Sequence, residues 1–188
     1  ETAMSYLCAI VGELLCTMPL CDVGEVSENM IKPILLYCSD HFADEDIKLG
    51  RSDLRERMDR EITAFTYSHQ LTLLMIKRAN RYFPIVEPLL KECGVPDDLK
   101  YLMVIESNLN PLAKSPAGAS GLWQFMPATG RRYNLEVNEN IDERYNIEKA
   151  TRAACEYLKE SYAMYGDWMT VAASYNAGQN GISRRLEQ

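Results

Sequence analysis

From about residue 50 onward the apolar positions recur with a helical period rather than alternating. In "LTLLMIKRANRYF", Leu71, Leu74, Met75 and Arg78 fall at helical spacing, and the pattern predicts a helix that stops at Pro84. "IVEPLLKECG" reads as a second, short helix closed by Gly94, a residue suited to a C-cap. "VPDDLKYLMVIES" restarts at Pro96, with Asp97 and Asp98 in a first turn where the helix dipole favours negative charge. In "NIEKATRAACEYLKESYAMYG", Ile147, Ala150, Ala154, Leu158 and Tyr162 form one stripe, and Gly166 ends it. "WMTVAASYNAGQNG" predicts a short apolar helix broken at Gly178. Upstream, "SDLRERMDREITAF" opens on a Ser52/Asp53 cap and mixes both charge signs, as a solvated helix face does. Strand signals are weak throughout, with no sustained alternation and no tight Asn-Gly hairpin. The expected fold is therefore mainly α.

One segment departs from the pattern. "NLNPLAKSPAGASG" is rich in Asn, Pro, Ser and Gly over fourteen residues, and so long a loop inside a compact domain usually has a function. "GLWQFMPATGRRY" follows it as a short helix or turn with Pro127 near its middle.

Composition narrows the reading. A chain of 188 residues, 47% hydrophobic, can bury one good core, or one domain plus an appendage. The net charge of −7 and the lack of a basic patch exclude a general nucleic-acid binder. Six cysteines (Cys8, Cys16, Cys21, Cys38, Cys93, Cys155) without a CxxC, and only two histidines, argue against zinc. The cysteines read as small buried apolar residues. "YLCAIVGELLCTMPLC" leaves two readings open. One is a degenerate secretory signal, lacking a basic leader and carrying Glu13; the other is an amphipathic helix with Leu7, Val11, Leu14 and Met18 on one face. The run is too short for a confident membrane span. Residues 1–77 are thus expected to be a helical extension, or a targeting segment plus linker, ahead of a domain over 78–188.

The candidate chemistry sits in three segments: Glu106-Ser107, the stretch Ser115 to Pro127, and "SYNAG" at Ser174 to Gly178. A carboxyl in apolar surroundings has its charged form disfavoured, so it can stay protonated near neutral pH and donate to a glycosidic oxygen. The competing reading is that Glu106 caps a loop or pairs with an arginine such as Arg131. Ser115 and Gln124 offer neutral hydrogen-bonding groups, and Gly118 and Gly121 allow backbone to approach a ligand closely. Trp123, Phe125 and Tyr175 could pack on sugar rings, although core packing is the simpler reading for Trp123 and Phe125. A buried Tyr175 hydroxyl needs a partner, for which Glu106 is a candidate.

These segments, in this order, resemble the lytic transglycosylases of the goose-lysozyme-like (SLT) superfamily. That family carries an ES motif, then GLMQ(L/F)MP, then AYNAG. Here they stand as Glu106-Ser107, Gly121-Leu122-Trp123-Gln124-Phe125-Met126-Pro127 and Ser174-Tyr175-Asn176-Ala177-Gly178. "GLWQFMPATGRRY" and the upstream "RYFPIVEPLLKECGVPDDLKYLMVIES" look most like the membrane-bound D-type branch. Trp123 replaces the commoner methionine and Ser174 the first alanine. The family domain continues past "SRRLEQ", so the resemblance implies a lysozyme-like helical catalytic domain incomplete at its C-terminus.

What the resemblance implies is a specific reaction. The substrate is the β-1,4 bond between N-acetylmuramic acid and N-acetylglucosamine in peptidoglycan. Glu106 acts first as acid and then as base, Ser115, Gln124, Tyr175 and Asn176 bind the glycan, and neither a metal nor an organic cofactor is needed. Most glycosidases use two carboxylates. Asp97 and Asp98 lie about two turns away on the same helix at 1.5 Å per residue. Glu136, Glu139, Asp142 and Glu143 are expected to be solvent-exposed. The expected partners are peptidoglycan glycan strands in the bacterial cell envelope, periplasmic or membrane-associated, with membrane attachment through the N-terminus and the oligomeric state left open. A hydrolytic muramidase on the same fold, or a non-catalytic peptidoglycan-binding module, are the alternatives.

Overall fold

The computed structural model describes residues 41–43, 45–46, 52–53, 55–56, 60, 63 and 68–177. Helix α1 spans His69–Cys93 and buries Met75, Ala79, Tyr82, Val86 and Leu90 along one face. Leu71 and Leu74, expected on the apolar face, are 41% and 43% exposed; the buried stripe lies one step around the helix. The break predicted at Pro84 does not occur, because α1 continues through both Pro84 and Pro88. Each proline removes one backbone donor, leaving the carbonyls of Asn80 and Pro84 without their usual partner. Asn80, Pro84 and Pro88 all lie on the exposed side, where water can serve those carbonyls, while the opposite face stays packed. Gly94 ends α1 at φ 71°, donating to the carbonyls of Leu90 and Lys91, as its C-cap reading requires. The expected division between 1–77 and 78–188 falls inside this continuous helix.

A 3₁₀ turn, Asp97–Lys100, leads straight into α2, Tyr101–Ser107. Lys100 is buried; its ammonium donates to Glu87 at 2.7 Å, pairs with Asp97, and lies over the rings of Phe83 and Tyr101. A buried cation is tolerable only when it is paired in this way. Asp98 accepts the backbone N–H of Ala43 at 2.8 Å. That bond anchors a tiny antiparallel ladder, β1 (His41–Phe42) with β2 (Glu45–Asp46), whose Phe42 enters the core.

Helix α3 spans Pro127–Arg132, so Pro127 opens a helix rather than interrupting one. After a second 3₁₀ turn, Glu143–Tyr145, come α4 (Ile147–Tyr165) and α5 (Trp168–Ala177). The Asn146 side chain caps α4 by accepting from the N–H of Lys149, and Gly166 closes it at φ 79°. Of the predicted stripe, Ala150, Ala154 and Leu158 are buried and Ile147 is half-buried, whereas Tyr162 is exposed and stacks on Trp168 with ring centroids 4.2 Å apart. Packing of α1 on α4, and of α4 on α5, forms one core. Cys93 and Cys155 are free thiols, half-buried and buried respectively, and burial pushes the Cys155 thiol up. The other four cysteines, the two readings of residues 4–21, and Gly178 lie outside the described residues. Among the described residues no helix is long and apolar enough to cross a membrane.

Candidate active site

Glu106 occupies the last turn of α2, behind the buried run Tyr101 to Val104. The residue is half-buried, and its Oε1 is shielded from solvent. The end of α2 is tightly tied. Ser107 Oγ donates back to the Met103 carbonyl at 2.8 Å. Asn108 and Leu109 follow with φ 49° and 53°, an uncommon left-handed pair. Fully buried Leu109 plugs the core, and Arg78 donates to the Asn108 carbonyl at 2.9 Å. The carboxylate therefore projects from a rigid support. Arg131, one considered partner for Glu106, donates instead to the Val137 carbonyl at 2.8 Å.

The loop after α2 folds back on itself through isolated bridges, Lys114 to Ser120 and Ser120 to Phe125. Ser115 Oγ accepts from the N–H of Ala119 at 3.0 Å, closing a turn that Gly118 completes at φ 93°. Gln124 sits at φ 49°, and its Nε2 donates to the carbonyls of Gly121 at 2.7 Å and Ala113 at 3.2 Å. Both candidate sugar-binding side chains are half-buried and shape the loop that carries them.

The aromatic residues divide as chemistry suggests. Trp123 and Phe125 are buried in the core, and the Trp123 indole donates to Thr151 Oγ1 at 3.0 Å. Tyr175, from α5, packs edge-on against Tyr157 and contacts the rings of Trp123 and Phe125. Its hydroxyl donates to the Trp123 carbonyl at 2.8 Å. The hydroxyl proton goes to the Trp123 carbonyl, so the expected bond to Glu106 is corrected as far as donation from Tyr175 is concerned. Desolvation, then the charge of Glu106, raises the Tyr175 pKa well above its ordinary value. Asn176 lies in the same last turn of α5; its side chain is outside the described residues.

Sequence reasoning missed Arg144. It is buried, and its Nε and Nη2 fork onto Asp142 at 2.8 and 2.6 Å. Its Nη1 donates at 2.8 Å to the carbonyls of both Gly118 and Phe125. Arg144 holds the Asp142 carboxyl below the usual carboxylate range. Glu143 pairs with Lys149 and accepts the N–H of Glu136 at 2.8 Å. Glu136 and Glu139 are exposed as expected, whereas Asp142 and Glu143 are partly buried and engaged. The only sequence hint was an Asp-x-Arg spacing. Among the described residues no group of three or more His, Cys, Asp or Glu side chains could hold a metal ion.

The chain is similar in sequence to several known proteins. The membrane-bound lytic murein transglycosylase D of Escherichia coli (strain K12) is 31% identical over 150 residues, covering 78% of this chain and 32% of that protein. A putative tributyltin chloride resistance protein of Alteromonas sp. is 29% identical over 121 residues, covering 64% of this chain and 58% of its own. The membrane-bound lytic murein transglycosylase F of Aliivibrio fischeri is 29% identical over 147 residues, covering 72% of this chain and 28% of its own. The chain thus spans about a third of the length of the first of these relatives. The Transglycosylase SLT domain matches residues 85–188, more than half of the chain and all three motif segments. With its mainly helical, lysozyme-like architecture and its likeness to the D-type enzymes, this chain belongs to the transglycosylase SLT domain family.

Proposed function

We propose that this chain cleaves the β-1,4 bond between N-acetylmuramic acid and N-acetylglucosamine in peptidoglycan without consuming water, leaving 1,6-anhydromuramic ends. The carrying observation is one carboxylate, Glu106, with a shielded oxygen, at the rigid end of a buried helix. Four of the other six acids considered for catalysis are engaged, and the remaining two, Glu136 and Glu139, are exposed. Asp97 pairs with Lys100, Asp98 accepts from Ala43, Asp142 is forked by Arg144, and Glu143 pairs with Lys149. Glu106 protonates the leaving oxygen as the C1–O bond breaks, and the substrate's own 2-acetamido group assists the cationic centre. Glu106 then recovers a proton from the C6 hydroxyl of the same sugar, whose oxygen bonds to C1. That nucleophile is intramolecular, and its high effective molarity replaces a base-held water.

Ser115 and Gln124 on the loop, with Tyr175 and Asn176 on α5, are the groups we assign to glycan binding. The membrane-bound murein transglycosylases among the relatives support a place in the cell envelope, acting on glycan strands. The test is digestion of purified sacculi followed by mass spectrometry of the product ends. Glu106→Gln keeps the shape of the side chain but removes its proton, and turnover should fall ~10²–10⁴-fold with the fold intact. Muramic ends carrying an added water of ~18 Da would replace this reading with a hydrolytic muramidase. Glycan binding without any cleavage by the wild-type chain would leave a peptidoglycan-binding module.

A further inference from the structure

We propose that Arg144, clamped by Asp142, is a positioning residue that holds the Ser115–Phe125 loop in its saccharide-binding shape; this rests on the functional reading above. The Arg144 side chain is 6% exposed and ties three stretches of chain together. Its fork on Asp142 fixes its plane, and the remaining nitrogen reaches Gly118 and Phe125 at the two limbs of the loop. Between those limbs lie Gly121, whose absent Cβ would stand 2.0 Å from the Arg144 carbonyl, and Gln124, at φ 49°. A side-chain-bearing residue keeps such a backbone conformation only where its surroundings over-determine it. The Phe125 carbonyl also accepts the N–H of Ser120 at 3.1 Å, so the same atom closes the loop's inner bridge.

The braced loop also holds Tyr175. Trp123 lies within the braced loop, and its carbonyl receives the Tyr175 hydroxyl. Lysine cannot substitute for Arg144, because a single ammonium has no planar fork to engage a carboxylate while also serving two carbonyls.

The experiment uses the full chain with Arg144→Lys and, as a second variant that keeps the guanidinium but weakens its clamp, Asp142→Asn. All measurements are made at a temperature where each variant is folded. Two quantities are read: amide hydrogen exchange, and KM and kcat on isolated glycan strands. Exchange at Ala119, Ser120, Gly121 and Gln124 should quicken about tenfold or more while the amides of α4 keep their protection. KM should rise, or kcat fall, by about 10- to 100-fold, as for a misplaced binding loop. Unchanged exchange in the loop, or exchange that quickens equally throughout α4, overturns the proposal in favour of a general stabilising role. Loop-confined exchange with unaltered KM and kcat overturns the positioning role alone. A wild-type chain that neither binds nor cleaves glycan overturns the functional reading and this assignment with it, and the wild-type control reveals that before any variant is compared.

Discussion

Replacing Gly121 with alanine should damage this protein far more than the same change at Gly118, although both glycines have positive φ, 81° and 93°. The backbone cost is shared: a Cβ in the left-handed region costs roughly 1–2 kcal/mol. The steric cost is not. A Cβ on Gly118 would meet nothing within 4 Å, whereas on Gly121 it would stand 2.0 Å from the Arg144 carbonyl oxygen and 2.9 Å from its carbon. Relaxed contact needs about 3.5 Å, so the carbonyl would have to retreat by roughly 1.5 Å. It has little freedom to do so. The 3₁₀ turn around it is closed by Tyr145 N–H to Asp142 and Asn146 N–H to Glu143, and the Arg144 side chain is buried. Overpacking of this kind costs about 1–3 kcal/mol or more. Gly121→Ala should therefore lose about 2–5 kcal/mol, against about 1–2 for Gly118→Ala. At about 2–4 °C per kcal/mol for a chain of this size, thermal unfolding followed by circular dichroism should separate the two variants by several degrees. Equal losses, or a larger loss at Gly118, would show that the Arg144 carbonyl does not obstruct position 121.

Trp123→Phe should cost about 1–3 kcal/mol of stability, because it leaves Thr151 Oγ1 without its indole donor and opens a void, yet KM on glycan strands should stay unchanged; a raised KM with intact stability would make Trp123 a sugar contact instead. Asp142→Asn should be less stable than the parent at neutral pH by about 1.5–3 kcal/mol, the range for hydrogen bonds to a charged group, since Asp142 is only partly buried. Since Arg144 depresses the Asp142 pKa from its ordinary 3.8, the carboxylate's contribution is whole above that value and declines as pH falls toward the lowered one. Urea unfolding at a series of pH values should show the gap between parent and variant narrowing only below about pH 4. A gap that stays constant down to pH 2, or narrows near pH 6, would point to another group.

Several features were legible along the chain because their causes are local. The stripe of α4 and its Gly166 terminator act within a turn or so of where they are written. The placing of Glu106 at the end of an apolar run, ahead of a Gly- and Ser-rich loop, is likewise a statement about neighbours in sequence. Pro84 was misread for the opposite reason. Whether a proline ends a helix depends on whether the carbonyl it abandons faces water and whether the other face is held by a core, and the packing of α1 decided both. The ladder of β1 and β2 has two residues per strand, too few to display alternation, and it is held by an Asp98 carboxylate 55 residues further on.

By itself, then, the sequence determined a mainly helical chain and the order of its three motif segments. Only the tertiary structure decided what those groups touch. Arg144 reads as one more surface charge until folding brings the Gly118 and Phe125 carbonyls, 26 and 19 residues away, to a single nitrogen. The Tyr175 hydroxyl had Glu106 as a plausible acceptor in sequence, and the fold offered it the Trp123 carbonyl, 52 residues distant. Periodicity and capping are set by forces that act within a few residues, whereas a buried donor must take whichever acceptor the packed core presents within about 3 Å, and no local pattern encodes that choice.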